Sequence, residues 1–282
     1  KAEYFIKIPS VSSTTDTIFY LLYNRAGSLD GSDKTEVWGD EVKGMWHLEE
    51  NPAGTAPQMK DSTINGNNGT SYGSMTSDDS VEAKVAKGLD FEGSDDKISI
   101  GTQSVLTSNN KTLEALIYPE GWGGGGYGRI FSRRASVPFD IHLCLYQTGA
   151  RLTGNYAYSG GNREVLSSEN SITLNAWQYV VFTVDSSGNW KFYINGVLNN
   201  SGKNENHISR NDPLDLGNAA GNERTFDGKL DEMKYNTAIL SAAYIKANYN
   251  SLFDTLITEE VVSTATVSTQ STFEKELKET AS

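Results

Sequence analysis

The chain has 282 residues, 27 of them Gly and only 6 Pro, with 37% hydrophobic and 10% aromatic content. That is enough apolar material for one large β domain and a smaller attachment. Acidic residues outnumber basic ones by 36 to 24, for a formal charge of -12, so a polyanion is repelled on average and nucleic acid is not an expected partner. The single cysteine, Cys144, excludes an internal disulfide framework and a thiolate metal cluster, and no apolar run reaches the length of a membrane-spanning helix.

From the start, Tyr4 to Pro9 reads as a strand already under way after Lys1, with no cleavable leader before it, so the sequence reads as a fragment or a processed product. Strands are predicted over 16–23, 44–48, 88–91, 97–100, 112–118, 129–133, 139–146, 151–156, 177–184, 190–194 and 229–235. Gly, Asn, Asp and Ser clusters separate them, and helical periodicity is nearly absent, which gives an all-β, antiparallel two-sheet sandwich or jelly roll. In 177–184 the residues Val180, Phe182 and Val184 share one face and Tyr179, Val181 and Thr183 the other; both faces are apolar, so the strand is expected to be central. The tight turn Asn195-Gly196 needs positive φ and closes a three-strand meander. One short C-terminal helix is predicted over 241–248, with Ser241 as N-cap. Residues 254–282 lack Gly and Pro, have Phe273 as their only aromatic, and read as a linker or stalk; a docked strand through 260–268 is the alternative.

Asp61, Thr63 and Asn65 followed by Gly66 form the start of a Ca²⁺-loop pattern, alternating oxygen side chains and then a glycine. Position twelve is Tyr72, so this is no EF-hand. The competing reading is a polar turn satisfied by its own Asx bonds. Trp122 and Tyr127 flank Gly123 to Gly126, while Tyr156 and Tyr158 lie near Asn155, Asn162 and Arg163. Flexible loops could lay these aromatic faces flat against a sugar ring, with Asn and Arg bonding hydroxyls, which makes Trp122, Tyr127, Asn155, Tyr156, Tyr158 and Arg163 a candidate glycan platform. Alternatively, the aromatics pack the loops onto the sheet rim.

Other matches carry less. Gly121, Gly123 and Gly126 fit G-x-G-x-x-G but precede a strand, not a helix. Gly69 to Gly73 fits G-x-S-x-G without a strand-to-helix elbow. His47, His142 and His207 have no metal spacing and read as structural, and Cys144 reads as a small buried hydrophobe.

Met45-Trp46-His47-Leu48, the run from Asp61 to Gly69, and Gly88-Leu89-Asp90-Phe91-Glu92-Gly93 stand in a fixed order. They are followed by Trp177 with Val180 and Val181, the hairpin 190–196, Phe226-Asp227-Gly228-Lys229-Leu230-Asp231-Glu232, and the helix. Over 44–250 this series resembles a laminin-G-like, concanavalin A-like jelly roll. The resemblance implies a structural Ca²⁺ between the sheet edge and the last strand, with Asp231 as carboxylate partner and Gly93 or Glu92 supplying a backbone oxygen, joining Asp61 and Asn65. The segment 3–24 is similar to the last strands of a microbial domain of unknown function that often precedes such modules. The expected organisation is therefore 1–40 as a truncated β domain or added strands, 41–253 as the jelly roll, and 254–282 as linker. Jelly-roll hydrolases carry an E-x-D-x-x-E strand. None occurs here, and Asp227, Asp231 and Glu232 are the nearest acidic cluster, so no catalytic residues are expected. Two functional classes stand: a non-enzymatic module recognising glycan or glycoprotein, and a structural or adhesive module contacting other surface or virion proteins. Either places the chain outside the cell, on a cell surface or on a virion surface, without membrane insertion.

Overall fold

The structure is a computed structural model that describes residues 5–7, 14–15, 17–22, 35–219, 221, 223–255, 257–262 and 274–279. Its strands in chain order are β1 (Ile18–Leu22), β2 (Val42–Trp46), β3 (Thr70–Tyr72), β4 (Ser80–Glu82), β5 (Lys87–Glu92), β6 (Lys97–Thr102), β7 (Lys111–Pro119), β8 (Arg129–Arg133) and β9 (Ile141–Tyr146). There follow β10 (Arg151–Tyr158), β11 (Gly161–Leu166), β12 (Gln178–Val184), β13 (Asn189–Ile194), β14 (Val197–Lys203), β15 (Pro213–Leu216), β16 (Asp227–Asn236), helix α1 (Ala242–Leu252), β17 (Ile257–Val262) and β18 (Glu274–Glu279). One sheet has the order β11-β10-β9-β8-β15-β6-β3, a second β14-β13-β12-β7-β16-β5-β4 with β2 also on β16, and a third β1-β18-β17.

The first two sheets face each other across the core. Phe91, Leu113, Phe182, Phe192 and Leu230 come from one, and Ile98, Phe131, Leu143, Leu152 and Leu216 from the other, all fully buried. Their close approach demands a glycine: a Cβ at Gly154 would lie 2.6 Å from the Phe182 ring, nearer than carbon atoms pack. The opposite face of β12 is apolar too. Tyr179 and Val181 join Leu116, Tyr193, Val85 and Ile245 in a second cluster beneath α1, which is why this strand reads apolar on both faces. The Asn195-Gly196 turn has φ of 51° and 73°, the mirror-image turn that suits a right-twisted hairpin.

The sandwich and its helix match expectation, with differences at the edges. The helix runs to Leu252, with Ser241 Oγ accepting from the Tyr244 amide at 3.1 Å. The segment 151–163, read as one strand and a loop, is a hairpin in which Tyr158 pairs with Gly161. Where a linker was expected, β17 and β18 pair with each other, and β18 pairs with β1; the Thr- and Val-rich composition that buries little also favours extended backbone. Of the predicted strand at 4–9, residues 5–7 are described and lie outside any strand; the rest falls outside the described residues.

Candidate functional site

Register across the seven-stranded sheet produces one continuous rung. Thr70 pairs with Ser99, Ser99 with Asp215, Asp215 with Ser132, Ser132 with His142, His142 with Asn155, and Asn155 with Glu164. Every strand contributes one residue, and every residue is polar. The next rung reads Ser71, Ile98, Leu216, Phe131, Leu143, Gly154 and Val165. Since side chains alternate faces along a strand and paired residues share a face, the mostly apolar rung fills the core and the polar one lies on the outer face.

Several of these groups lack partners. Ser132 Oγ, His142 Nδ1 and Asn155 Oδ1, neighbours on three adjacent strands, are buried without a hydrogen bond, as is Arg129 Nε. Other members are satisfied within the face: Thr153 Oγ1 donates to Glu164 Oε1 at 3.1 Å, and Arg129 Nη1 donates to Cys144 Sγ at 2.6 Å. Burial, reinforced by Arg129 and Arg134, holds His142 well below the usual histidine range, so its imidazole is neutral and can donate at one nitrogen while accepting at the other. Burial raises Asp215, against a hydrogen bond from Ser99. Phe139 lies on the His142 ring at 4.5 Å with 23° between planes, and Arg134 lies over Phe139, so these two side chains cover the floor of the face. The arrangement lines up donors and acceptors along one strip of the sheet.

The six residues read as a glycan platform do not come together. Tyr156 is fully buried in the core, and burial pushes its hydroxyl to about 12. Alternation along β10 turns Tyr156 inward, and the paired Arg163 shares that side; its Nε donates to Glu205 Oε2 at 2.7 Å, and its guanidinium lies over Tyr158. Asn155 alone of this group joins the outer rung. Trp122 packs against the core, and Tyr127 stacks on Tyr146 at 4.9 Å with Arg224 over its ring. The platform is corrected because these aromatics sit on paired strands or pack on the rim instead of lying flat in free loops.

The proposed cation ligands do not fit Ca²⁺. Asp61 Oδ1 accepts from the Met45 and Thr63 amides at 3.0 and 2.9 Å, and Oδ2 accepts from Thr63 Oγ1 and the Asn67 amide at 2.9 and 2.7 Å. This is the Asx arrangement, and it uses the oxygens that a cation would need. Asn65 Nδ2 donates to Thr63 Oγ1 and to the Val42 carbonyl. Gly93 stands beside Asp227, whereas Asp231 stands beside Gly88 at the other end of β5. Burial, then the charge of Glu232, raises the Asp231 carboxyl to about 9, and its Oδ2 accepts from the Val85 amide at 2.9 Å. Among the described residues, no group of three His, Cys, Asp or Glu side chains is placed to hold a metal.

The remaining singled-out residues have local explanations. His47 Nδ1 stands 2.6 Å from Glu232 Oε1; burial lowers its pKa, but the bond and charge of Glu232 outweigh that and raise it. His207 stands 3.4 Å from Asp140. Cys144 is fully buried, and burial pushes its thiol up. The outer-face residues Thr70, Ser99, Ser132, Glu164 and Asp215 were not singled out from sequence; β3, β11 and β15 were not among the predicted strands, and the register that aligns these residues is set only by pairing.

Two antiparallel sheets packed as a sandwich, with one short helix, form the concanavalin A-like jelly-roll architecture. Residues 92–246 match the family described as the concanavalin A-like lectin/glucanases superfamily, and the chain belongs to that superfamily. No curated protein matches the chain. Among solved structures it is similar to the binding domain of Paraclostridial Mosquitocidal Protein 1, at 18% identity and a TM-score of 0.57, over 77% of this chain and 54% of that one. It is also similar to domain 4 of AbnA, a GH43 extracellular arabinanase from Geobacillus stearothermophilus in complex with arabinotriose. That match has 20% identity and a TM-score of 0.55, over 73% of this chain and 97% of that one. The receptor-binding domain of botulinum neurotoxin mosaic serotype C/D gives 16% identity and a TM-score of 0.57, over 78% and 51%. The chain spans about half the length of the two toxin domains and nearly all of the arabinanase domain.

Proposed function

We propose that the chain is a non-catalytic carbohydrate-binding module that takes a neutral glycan along the outer face of the seven-stranded sheet. The all-polar rung from Thr70 to Glu164 carries this reading. A saccharide presents ring hydroxyls that both donate and accept, and half-buried Thr70, Ser99 and Asn155 with exposed Glu164 offer matching groups along the face. Ser132 and His142 form the floor beneath Phe139 and Arg134. The arabinotriose-bound arabinanase domain supports a glycan as ligand, and the toxin binding domains support a receptor-recognition role. With those neighbours, a secreted or surface setting is the natural one.

The acids on this face argue for binding over hydrolysis. Asp215 and Glu164 are separated by Ser132, His142 and Asn155, four strand spacings of ~4.8 Å, or roughly 19 Å. A glycosidase pair needs about 5 to 9.5 Å.

Titration calorimetry with arabino-oligosaccharides, preceded by a glycan array, tests the proposal. We expect binding that the double change His142→Ala, Asn155→Ala weakens at least about ten-fold, while Trp122→Phe leaves it unchanged. Binding indifferent to the double change, or no binding to any glycan, would overturn the assignment, as would release of reducing ends.

A further inference from the structure

On the other side of the sandwich, a cavity of about 480 Å³ lies between α1, β16 and segments of the chain before β2. That volume falls in the range of small-molecule sites, roughly 300–1,000 Å³. Phe5, Trp38, Val42, Val85, Tyr244 and Leu252 supply apolar patches in a lining that is mostly polar. Lys234 lines it as well and is only 5% exposed.

The surroundings of Lys234 are unusual for a buried ammonium. Its nearest carboxylate oxygen, Glu114 Oε2, stands at 3.9 Å, beyond hydrogen-bond distance. That oxygen already accepts from the Tyr179 hydroxyl and from Asn248 Nδ2, while Glu114 Oε1 accepts from Asn236 Nδ2 at 2.8 Å. Trp38 presents its ring 5.5 Å from the ammonium. No described acceptor takes any of the three N–H groups that a lysine carries. Burial would discharge Lys234, but the charges of Glu114 and Glu232, with Tyr244 nearby, more than offset it and keep the side chain protonated.

The other charges at the cavity are either engaged or exposed. Lys7 Nζ donates to the Glu36 carbonyl at 2.9 Å, and Lys84 lies 4.5 Å over the Phe253 ring. Glu41 and Asp254 are exposed, where water screens them. Among the described residues, the one buried ionic group facing the cavity is a cation with unused donors, and charge-assisted hydrogen bonds are roughly twice as strong as neutral ones.

We propose that this cavity is a second ligand site, separate from the sheet face, that takes a small organic carboxylate with an apolar body. The carboxylate accepts from Lys234 Nζ, and the apolar part lies against Leu252 and the exposed edge of Trp38.

The test titrates the full chain with naphthalene-2-carboxylate and with the matching neutral amide, followed by ligand-observed NMR and calorimetry. We expect a Kd below ~1 mM for the carboxylate and binding at least about ten-fold weaker for the amide. Ser251→Trp, an exposed position on the last turn of α1 that lines the cavity, should abolish both, and Lys234→Met should bring the carboxylate down to the level of the amide. Equal affinity for the two probes would overturn the anchoring role of Lys234. Binding that survives Ser251→Trp would overturn the location, and no carboxylate binding would overturn the site. Should Lys234→Met fail to fold, the probe ratio in the unmodified chain and the Ser251→Trp result decide. Glycan binding is read independently with arabino-oligosaccharides, so failure of one site leaves the other standing.

Discussion

Asp140→Asn tests the buried charge cluster at one end of the sandwich. Asp140 Oδ2 accepts from Arg133 Nη1 at 2.6 Å and faces Lys111 Nζ at 3.2 Å, with all three side chains fully buried. Arg133 also donates to the carbonyls of Asp212, Leu106 and Gln103, and to Thr107 and Asn211, so the cluster ties the rim loops to β8. Burial opposes charge on Asp140, but His207, Lys111 and Arg133 together hold its pKa below the usual carboxylate range. The isosteric change keeps the shape and removes the counter-charge, leaving two cations in the interior. Breaking a buried pair this way costs about 3–5 kcal/mol, which in a domain of this size lowers Tm on the order of 10 °C. Lysine can shed its proton and arginine cannot, so the loss should be smaller at pH 9 than at pH 6, and adding Lys111→Met should recover part of it. Urea unfolding midpoints at both pH values measure this. A loss below about 1 kcal/mol at pH 6, or no recovery in the double variant, would refute the account.

Lys111 predicts a pH trend of its own. Burial lowers its pKa to about 8, so above that pH the unfolded chain binds more protons, and stability should rise by about 2 kcal/mol between pH 7.5 and 9.5; Lys111→Met should flatten the rise in urea titrations. Gly154→Ala should destabilise the fold by about 1–3 kcal/mol, because the added methyl meets the Phe182 ring, and calorimetric Tm will read it. Ser241→Ala removes the cap on α1 and should cost about 1 kcal/mol by the same measurement. Cys144, buried with its thiol pKa raised, should resist a thiol reagent in the native chain and react fully in urea; fast native labelling would contradict its placement.

Local chemistry made much of the fold legible. The two apolar faces of β12, the Asn195-Gly196 turn and the Ser241 cap each depend on neighbours within a few residues, and each stands as the sequence indicates. Site residues depend on which strands lie side by side. Tyr156 reads as a surface aromatic until pairing with Ile141 and Arg163 places it in the core. Asp61 reads as a cation ligand until Met45, distant in sequence, donates to it. The polar rung draws its members from seven strands that are scattered along the chain, and no window of sequence contains more than a few of them. Of the strands after residue 256, β18 was hidden for a different reason: it pairs with β1, at the opposite end of the sequence.

That last pairing has a mechanical meaning. Ile18 lies opposite Lys278 and Leu22 opposite Glu274, so the segments leading into β1 and out of β18 leave from the same end of the ribbon. Tension applied through those two segments would peel the ribbon one rung at a time, the low-force mode, instead of shearing all its bonds together.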